Sequence, residues 1–208
     1  ADDIMYRLRM IKSDNEISVL REAFKICEAG VEAVLNAIKP GMTELQVVGI
    51  AQEAMYRNGA EYEAHPTYVL SGVNSSHAIG RPTYRVLEKG DLVQLNIGAR
   101  VAGYSPSIGL PVCLGKMDAA MKDLVSFGLE AHNKTMEWLK GGIPAGEVAR
   151  NYFDYVSKRG YGENLLYGPC HGLGMIEVER PWMETTSTYP LQENMTFQVD
   201  TFLYRPEY

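Results

Sequence analysis

The sequence contains an internal repeat, and no other feature narrows the possible folds as far. Residues 38–42 (Ile-Lys-Pro-Gly-Met) recur 101 positions later as residues 139–143 (Leu-Lys-Gly-Gly-Ile). The register then continues without a gap, so that Gly59 falls on Gly160. Self-similarity at a fixed offset indicates a repeated structural unit. We therefore expect each half to contain two long amphipathic helices with the same joint and the same glycine stop.

A second pair of similar segments comes after the helices in each half. Residues 87–90 correspond to residues 191–194 at an offset of 104, and both lead into an extended apolar segment. Each half is thus predicted as helix, helix and then strands. Two such units bury their sheet faces most readily by pairing around a pseudo-twofold axis, with the helices covering the outside of one curved sheet.

Residue spacing and capping signals place the elements. Apolar residues at intervals of three and four predict a helix over residues 16–35, with Ser13 as its N-cap and Glu16 as the reciprocal partner. Thr43 is expected to cap a second helix that ends at residues 58–59. The repeat predicts two more helices over residues 123–139 and 146–159. Strands rich in β-branched and aromatic residues are predicted over residues 67–71, 91–101, 104–113 and 196–204.

Composition limits the classes of partner. A chain of 208 residues with 46% hydrophobic and 22% charged residues can bury a substantial core. The net charge of −6 and the absence of a Lys/Arg block argue against binding to nucleic acid or to an anionic membrane. Three cysteines without metal-ligand spacing, and no apolar run of about 18 residues, indicate a reduced cytoplasmic chain. A small molecule or a dipeptide is the expected partner.

A histidine between glycines marks the candidate active site. His171 lies in the segment Tyr-Gly-Pro-Cys-His-Gly-Leu-Gly, in which the missing Cβ atoms let the backbone approach a ligand closely. This turn, the Gly-Asp-Leu-Val strand at residues 90–93, the Gly-Tyr at residues 103–104 and the strand after residues 193–195 together resemble the pita-bread superfamily. That superfamily contains methionine aminopeptidases, Xaa-Pro peptidases and creatinases.

The resemblance runs from about residue 11 to residue 208 and implies a specific architecture. We expect an α+β pita-bread fold of duplicated α-α-β halves, with a curved, mainly antiparallel sheet covered by helices. Residues 1–12 are expected to be a linker-like segment, and residues 13–208 a catalytic-type domain without the family's final hairpin. Creatinase-like relatives carry an N-terminal domain that covers the active site of a partner, which implies a homodimer.

The resemblance also implies a metal site, and this chain departs from it. The metallopeptidases of the family hold two cations with five ligands. Those positions fall here on Asn96, Ser107, His171 and Asp200, and the fifth lies beyond residue 208. An amide and a hydroxyl replace two carboxylates, and neutral oxygens are weak ligands for a transition metal. Two adjacent cations repel each other unless carboxylates bridge them. We therefore expect no bound metal and no cofactor.

The site pattern is closest to the metal-free creatinase and ectoine hydrolase branch. By that resemblance, His171 is the general acid/base and Asp200 orients it or holds a cationic nitrogen of the substrate. An imidazole pKa near 6.5 suits proton transfer in both directions at neutral pH. Val178 stands where the peptidases have a second histidine. In a simpler interpretation, His171 is only a polar residue in a glycine turn.

Four further residues are expected to contact the substrate. They are His77, Asn96, Ser107 and Glu179. Glu177 and Glu179 are separated by one residue, so on an extended segment they would point the same way, and one of them would face the cavity. Asn96 and Ser107 could instead be structural hydrogen-bond partners, and Tyr104 and Trp182 are expected to pack.

Three functions remain open on the sequence alone. The first is a metal-independent hydrolase of a C–N bond in a small amide or amidine, in the manner of creatinase. The second is an Xaa-Pro dipeptidase-like or aminopeptidase-like enzyme with a weak single metal on His171 and Asp200. The third is an inactive peptide-binding module.

Overall fold

The structure is a computed structural model that describes residues 2–205 and 208. Within these residues the two halves of the repeat lie one after the other, each beginning with two long helices and continuing into strands. The helices are α1 (Asp2–Met10), α2 (Asp14–Ala37), α3 (Glu44–Arg57), α4 (Ala119–Trp138) and α5 (Ala145–Lys158). The strands are β1 (Tyr62–Glu63), β2 (Tyr68–Leu70), β3 (Leu92–Arg100), β4 (Ser107–Cys113), β5 (Leu165–Tyr167), β6 (Cys170–Gly172), β7 (Glu179–Met183), β8 (Phe197–Val199) and β9 (Phe202–Leu203).

The predicted repeat is visible in the hydrogen bonds of the two helix joints. The amide of Gly41 donates to the carbonyl of Leu87 over 2.8 Å, and at the predicted offsets Gly142 donates to Leu191, also over 2.8 Å. Both glycines have positive φ angles, 92° and 87°, which a side chain would oppose. The isolated bridges Thr43–Val86 and Pro144–Pro190 repeat in the same way. The halves therefore share one backbone plan.

The helices α2 and α3 of the first half begin with the predicted N-cap residues. Ser13 accepts from the amide of Glu16, whose carboxylate accepts in return from the amide of Ser13 over 2.7 Å. Thr43 and Gln46 form the same reciprocal pair at the start of α3. In the second half Pro144 occupies the position equivalent to Thr43 and offers no side-chain cap. Because an N-cap hydroxyl contributes about 1 kcal/mol, the α5 start relies more on packing.

All the strand pairings among the described residues are antiparallel, which confirms the predicted α+β class. In the first half β3 is central, with β1, β2 and β4 paired to it. In the second half β6 lies between β7 and β8, while β5 pairs with β9. The predicted single sheet is thus divided into three hydrogen-bonded groups.

Two predicted strands are shorter than expected, for a local reason in each case. The segment 196–204 is interrupted between β8 and β9, where the amide of Asp200 donates to the carbonyl of Pro169 over 2.8 Å. Pro169 has no amide hydrogen, so it cannot continue the ladder. The segment 104–113 becomes strand only at Ser107, because Pro106 lacks a donor and the amide of Ser105 donates to Gly174 instead.

Alternation along β3 separates a core face from a site face. Val93, Leu95 and Ile97 are fully buried against α2 and α3. Burial of each such side chain contributes roughly 1.5–3 kcal/mol. The second half packs β6 and β8 on α4 and α5 in the same way. Asn96, between Leu95 and Ile97, consequently points to the opposite face, away from the helices.

The leading segment differs from the expectation of a linker. Residues 2–10 form helix α1, which contacts β7, and the amide of Lys12 donates to the carbonyl of Asn194 over 2.9 Å. Arg9 and Lys12 both form ion pairs with Glu179. The ion pairs explain why the segment is ordered against the second half. Among the described residues, no helix combines the length and the apolar character needed to cross a membrane.

Candidate functional site

The two halves each turn one sheet face toward a common site. In the first half Tyr68 pairs with Asn96, and Ser107 pairs with Gly98 two residues further on. Directly paired residues of antiparallel strands project to the same face, so Tyr68, Asn96 and Ser107 share it. In the second half His171 on β6 is directly opposite Trp182 and Gln198.

His171 is buried, with a hydrogen-bond acceptor next to each ring nitrogen. It is 2% exposed; Nδ1 lies 2.9 Å from the carbonyl oxygen of Gly172, and Nε2 lies 3.1 Å from Oδ2 of Asp200. A carbonyl and a carboxylate can only accept. Both contacts are therefore satisfied together when both nitrogens carry protons. The predicted His171–Asp200 pair is present, and its surroundings suit the imidazolium form.

The electrostatic surroundings favour the same protonation state. Burial is the largest single influence and lowers the pKa of His171, but the hydrogen bonds to Asp200 and to the Gly172 carbonyl, with the charges of Asp200 and Glu177, raise it above 6.5 overall. The imidazolium thus persists to a higher pH than in a free histidine.

Glu177 reaches the site from the loop after β6 and joins the two halves. The hydroxyl of Ser107 donates to Oε1 of Glu177 over 3.0 Å, and Ser107 itself is 2% exposed. Glu177 lies in a bend between β6 and β7 rather than on a strand, so it does not point with Glu179 as the extended interpretation required. Of the two predicted glutamates, Glu177 is the one at the site.

The structure corrects the assignment of Glu179 to substrate binding. Its carboxylate is 3.1 Å from Nζ of Lys12, is paired with Arg9 and accepts from the amide of Ile176 over 3.3 Å. These contacts hold helix α1 and the loop before β7. Glu179 is 8% exposed, and its oxygens are committed to this network. Its role is to anchor the loop that carries Glu177.

The role of His77 in substrate binding stays a prediction. Its side chain is exposed at the end of the 3-10 turn over Gly72–Ser76, and Nδ1 lies 3.3 Å from the carbonyl of Asn74. A different histidine contacts the predicted residues. Nε2 of His65 is 3.2 Å from Oδ1 of Asn96, and Nδ1 is 2.7 Å from the carbonyl of Pro66.

The sequence interpretation missed His65, although a signal for it existed. The His65 ring lies 4.8 Å from the ring of Tyr68, which pairs directly with Asn96. If the predicted strands 67–71 and 91–101 are neighbours, the residues just before the first strand lie close to Asn96. Residue spacing alone does not reveal which strands pair. Without that pairing, His65 cannot be told from an ordinary loop residue.

Aromatic rings from two elements border His171. The Tyr167 ring is 6.1 Å and the Trp182 ring 6.3 Å from the imidazole, and each of these two residues is 40% exposed. Trp182 was expected only to pack, but it lies beside the candidate acid/base. Burial, with smaller effects from the charges of Asp200 and Glu177, raises the pKa of Tyr167 to about 12, so its hydroxyl remains protonated at neutral pH. Tyr104 donates to Glu16 over 2.6 Å and has a structural role.

The donors at the four family ligand positions do not fit a pair of metal ions. Asn96 contacts His65, Ser107 donates to Glu177, and His171 is engaged with Asp200. Over residues 2–205 and 208, no group of three or more His, Cys, Asp or Glu side chains is placed to hold a metal. The amide of Asn96 and the hydroxyl of Ser107 are weak ligands for a transition metal, and they replace two of the carboxylates that a pair of cations requires.

Comparison with known proteins identifies the relatives of this chain. The model of the metallopeptidase family M24 matches residues 18–208. The Xaa-Pro dipeptidase of Pyrococcus horikoshii is 30% identical over 206 residues, which are 99% of this chain and 59% of the relative. The crystal structure of an X-Pro aminopeptidase from Thermotoga maritima superimposes with a TM-score of 0.95 at 29% identity, covering 99% of this chain and 58% of that one.

A third relative agrees with these two. The prolidase from Pyrococcus furiosus matches with a TM-score of 0.95 at 28% identity, covering 99% of this chain and 61% of that one. The chain therefore spans about three fifths of the length of these relatives. The antiparallel α+β fold is that of the pita-bread peptidases, as the sequence predicted, and the chain belongs to the metallopeptidase family M24.

Proposed function

We propose that this domain hydrolyses the C–N bond of a dipeptide-sized substrate, with the His171–Asp200 pair transferring the proton to the leaving nitrogen. The observation that carries the proposal is the buried imidazole with an acceptor at each nitrogen, in the half of the chain whose Glu177 accepts a hydrogen bond from Ser107 on the site face of the other half. Such a histidine is held ready to donate a proton. The named activities of the relatives, Xaa-Pro dipeptidase and X-Pro aminopeptidase, support a peptide-like substrate.

Each residue of the site has a separate task in this reaction. A substrate carbonyl placed against Asn96 and Tyr167 would accept hydrogen bonds from the amide and the phenol, which stabilises negative charge on its oxygen. His171 then supplies a proton from Nε2 to the nitrogen as the C–N bond breaks, and for this transfer the Nε2 proton exchanges its 3.1 Å hydrogen bond to Asp200 for one to the substrate nitrogen. Until then the Asp200 carboxylate stabilises the imidazolium.

The substrate class is the part of the proposal that departs from the first sequence hypothesis. The creatinase-like hypothesis favoured a small amide or amidine. The relatives are named as peptidases of Xaa-Pro substrates, which favours a dipeptide. Independence from metal stays part of the proposal, because the donor set lacks the carboxylates that two cations require.

A second candidate keeps one metal ion on His171 and Asp200. The observation in its favour is that these two residues occupy family ligand positions and lie 3.1 Å apart. In that case the metal would polarise the scissile carbonyl, and chelation would abolish the activity. The expected homodimer and cytoplasmic location stay predictions.

The test measures hydrolysis by the full-length protein, with and without EDTA, on a panel of Xaa-Pro dipeptides and small amides and amidines. We expect dipeptide cleavage that survives EDTA and falls at least about 100-fold in His171→Gln, as removal of a general acid predicts. Cleavage that needs added manganese or cobalt would support the single-metal enzyme. Absence of any hydrolysis, with dipeptide binding unchanged in His171→Gln, would show a binding module instead.

A further inference from the structure

We infer that Trp182 and the cleft beside it select a dipeptide whose leaving residue carries an aromatic side chain. The inference rests on the proposed hydrolysis and deepens it, because it names the substrate that this site prefers. It uses only the position of the leaving nitrogen beside His171, and not the protonation state of any group. The relatives are named for Xaa-Pro substrates, so this preference separates the chain from them.

Trp182 is the residue that connects the candidate site to the cleft. It lies directly opposite His171 in the pairing of β6 with β7, so both side chains project from the same face of the sheet. The two ring centroids are 6.3 Å apart. The imidazole is buried and the tryptophan is 40% exposed. The indole is therefore a surface that a molecule bound at His171 can cover.

A cleft of about 210 Å³ lies where helix α1 contacts strand β7. Tyr6 of α1, Trp182 of β7 and Tyr189, which follows β7, all line it. Arg180 and Glu184 flank Trp182 at intervals of two residues and add one charge of each sign to the lining. Because the two charges balance and aromatic rings pair favourably with one another, this lining suits an uncharged aromatic ring.

Two hydrogen bonds hold the backbone of Trp182 in place. The hydroxyls of Ser187 and Tyr189 each donate to the carbonyl of Trp182 over 3.0 Å. Both donors belong to the segment after β7, and both residues also line the cleft. A wall that is fixed before the ligand arrives loses little conformational freedom on binding, which favours affinity for the matching side chain.

The covalent structure of the leaving residue decides which side chains can contact Trp182. The nitrogen of proline belongs to its own ring, so that ring stays against His171 when the C–N bond is in place for cleavage. The ring of phenylalanine is joined to its nitrogen through Cα and Cβ, so it can extend past the imidazole to the indole. The side chain of alanine ends at Cβ and is too short. An aromatic leaving residue is therefore the one that this site distinguishes.

Hydrolysis of Ala-Phe, Ala-Ala and Ala-Pro by the full-length protein tests the inference. We expect kcat/KM for Ala-Phe to exceed the values for the other two at least about tenfold, as burial of a ring predicts. Trp182→Ala should remove the preference by raising KM for Ala-Phe, with Ala-Ala and Ala-Pro within about twofold of the parent. Trp182→Phe should keep most of it. Tyr84→Ala, which removes an aromatic ring that is 83% exposed, serves as the control.

Intrinsic fluorescence provides a second measurement that needs no turnover. The chain has two tryptophans, Trp138 and Trp182. Phenylalanine, the product released from Ala-Phe, should change the emission at a concentration at least about tenfold lower than alanine does. The change should be absent in Trp182→Phe, which keeps Trp138. If Trp182→Ala fails to fold, Tyr6→Ala removes a different ring from the cleft and should weaken the preference for Ala-Phe about threefold.

The outcomes separate the inference from the proposed function. An equal loss on all three dipeptides in Trp182→Ala, or a parent protein that prefers Ala-Pro, would overturn the inference and leave the hydrolysis standing. A parent protein that cleaves none of them would overturn dipeptide hydrolysis, and the fluorescence titration then decides the inference. Equal responses to phenylalanine and alanine would contradict it, whereas a selective response that is lost in Trp182→Phe would support it.

Discussion

Glu179→Gln should destabilise the protein strongly, because it leaves the Lys12 ammonium buried without its carboxylate. The side chains of Lys12 and Glu179 are 1% and 7% exposed, and Nζ lies 3.1 Å from Oε1. Removing one partner of a buried ion pair costs about 3–5 kcal/mol in unfolding free energy. The loss of unfolding free energy cannot exceed the free energy of deprotonating Lys12, since the lysine can become neutral. Deprotonating an amine with an ordinary pKa of 10.5 at pH 7 costs about 5 kcal/mol.

The pH dependence gives this prediction a definite sign. Burial lowers the pKa of Lys12 in the folded protein even with Glu179 present, and the loss of that carboxylate should lower it further. The unfolded chain then binds more protons than the folded one between the folded pKa and 10.5. Stability of Glu179→Gln should therefore rise from about pH 7 toward about pH 10 relative to the parent.

Urea unfolding with circular dichroism detection measures both effects. Glu184→Gln, an exposed position just after β7, is the matched control and should lie within about 0.5 kcal/mol of the parent. The double variant Lys12→Met with Glu179→Gln should recover most of the loss, because it removes the unpaired charge. A loss below about 1 kcal/mol in Glu179→Gln, or a stability that falls between about pH 7 and pH 10, would refute the reasoning.

Two further predictions concern the reacting groups. Asp200→Asn should move the alkaline limb of the kcat/KM profile to lower pH, because Asp200 raises the pKa of His171 and the acid form is lost as pH rises through that value; an unmoved limb would show that another group sets it. Asn96→Asp combined with Ser107→Asp should raise bound manganese or cobalt at least about tenfold in metal analysis of dialysed protein, since carboxylates are better ligands than an amide and a hydroxyl. Unchanged metal content would contradict the assignment of a poor donor set.

The sequence was sufficient to predict the duplicated architecture, because the repeat has a direct physical meaning. In each half a glycine amide at the helix joint donates to a leucine carbonyl, Gly41 to Leu87 and Gly142 to Leu191. The glycines recur at one offset in the sequence and the leucines at another. Capping at Ser13 was equally predictable, as it depends on residues three positions apart. Local capping signals and the internal repeat were therefore enough to predict most of the helices and the duplicated architecture.

The site was only partly predictable because its contacts depend on how strands pair and where loops bend. The resemblance singled out His171 and Asp200 as a pair, and their side chains are in contact in the structure. The contact between His65 and Asn96 was not predicted, because strand pairing decides it. The prediction that Glu177 points the same way as Glu179 was wrong, because Glu177 lies in a bend before β7 and not on an extended strand. Helix α1 was not predicted, since its ion pair joins Arg9 to Glu179, which is distant in sequence.

The hydrogen bond between Ser107 and Glu177 makes the candidate site a property of both halves together. Ser107 belongs to the first copy of the duplicated unit, and Glu177 belongs to the second. A molecule in which one repeat has opened, while the other keeps its helices, would retain His171 but lose the hydrogen bond that holds Glu177. The geometry of the candidate site is therefore coupled to the contact between the two repeats, as in an assembly of two subunits joined by one backbone.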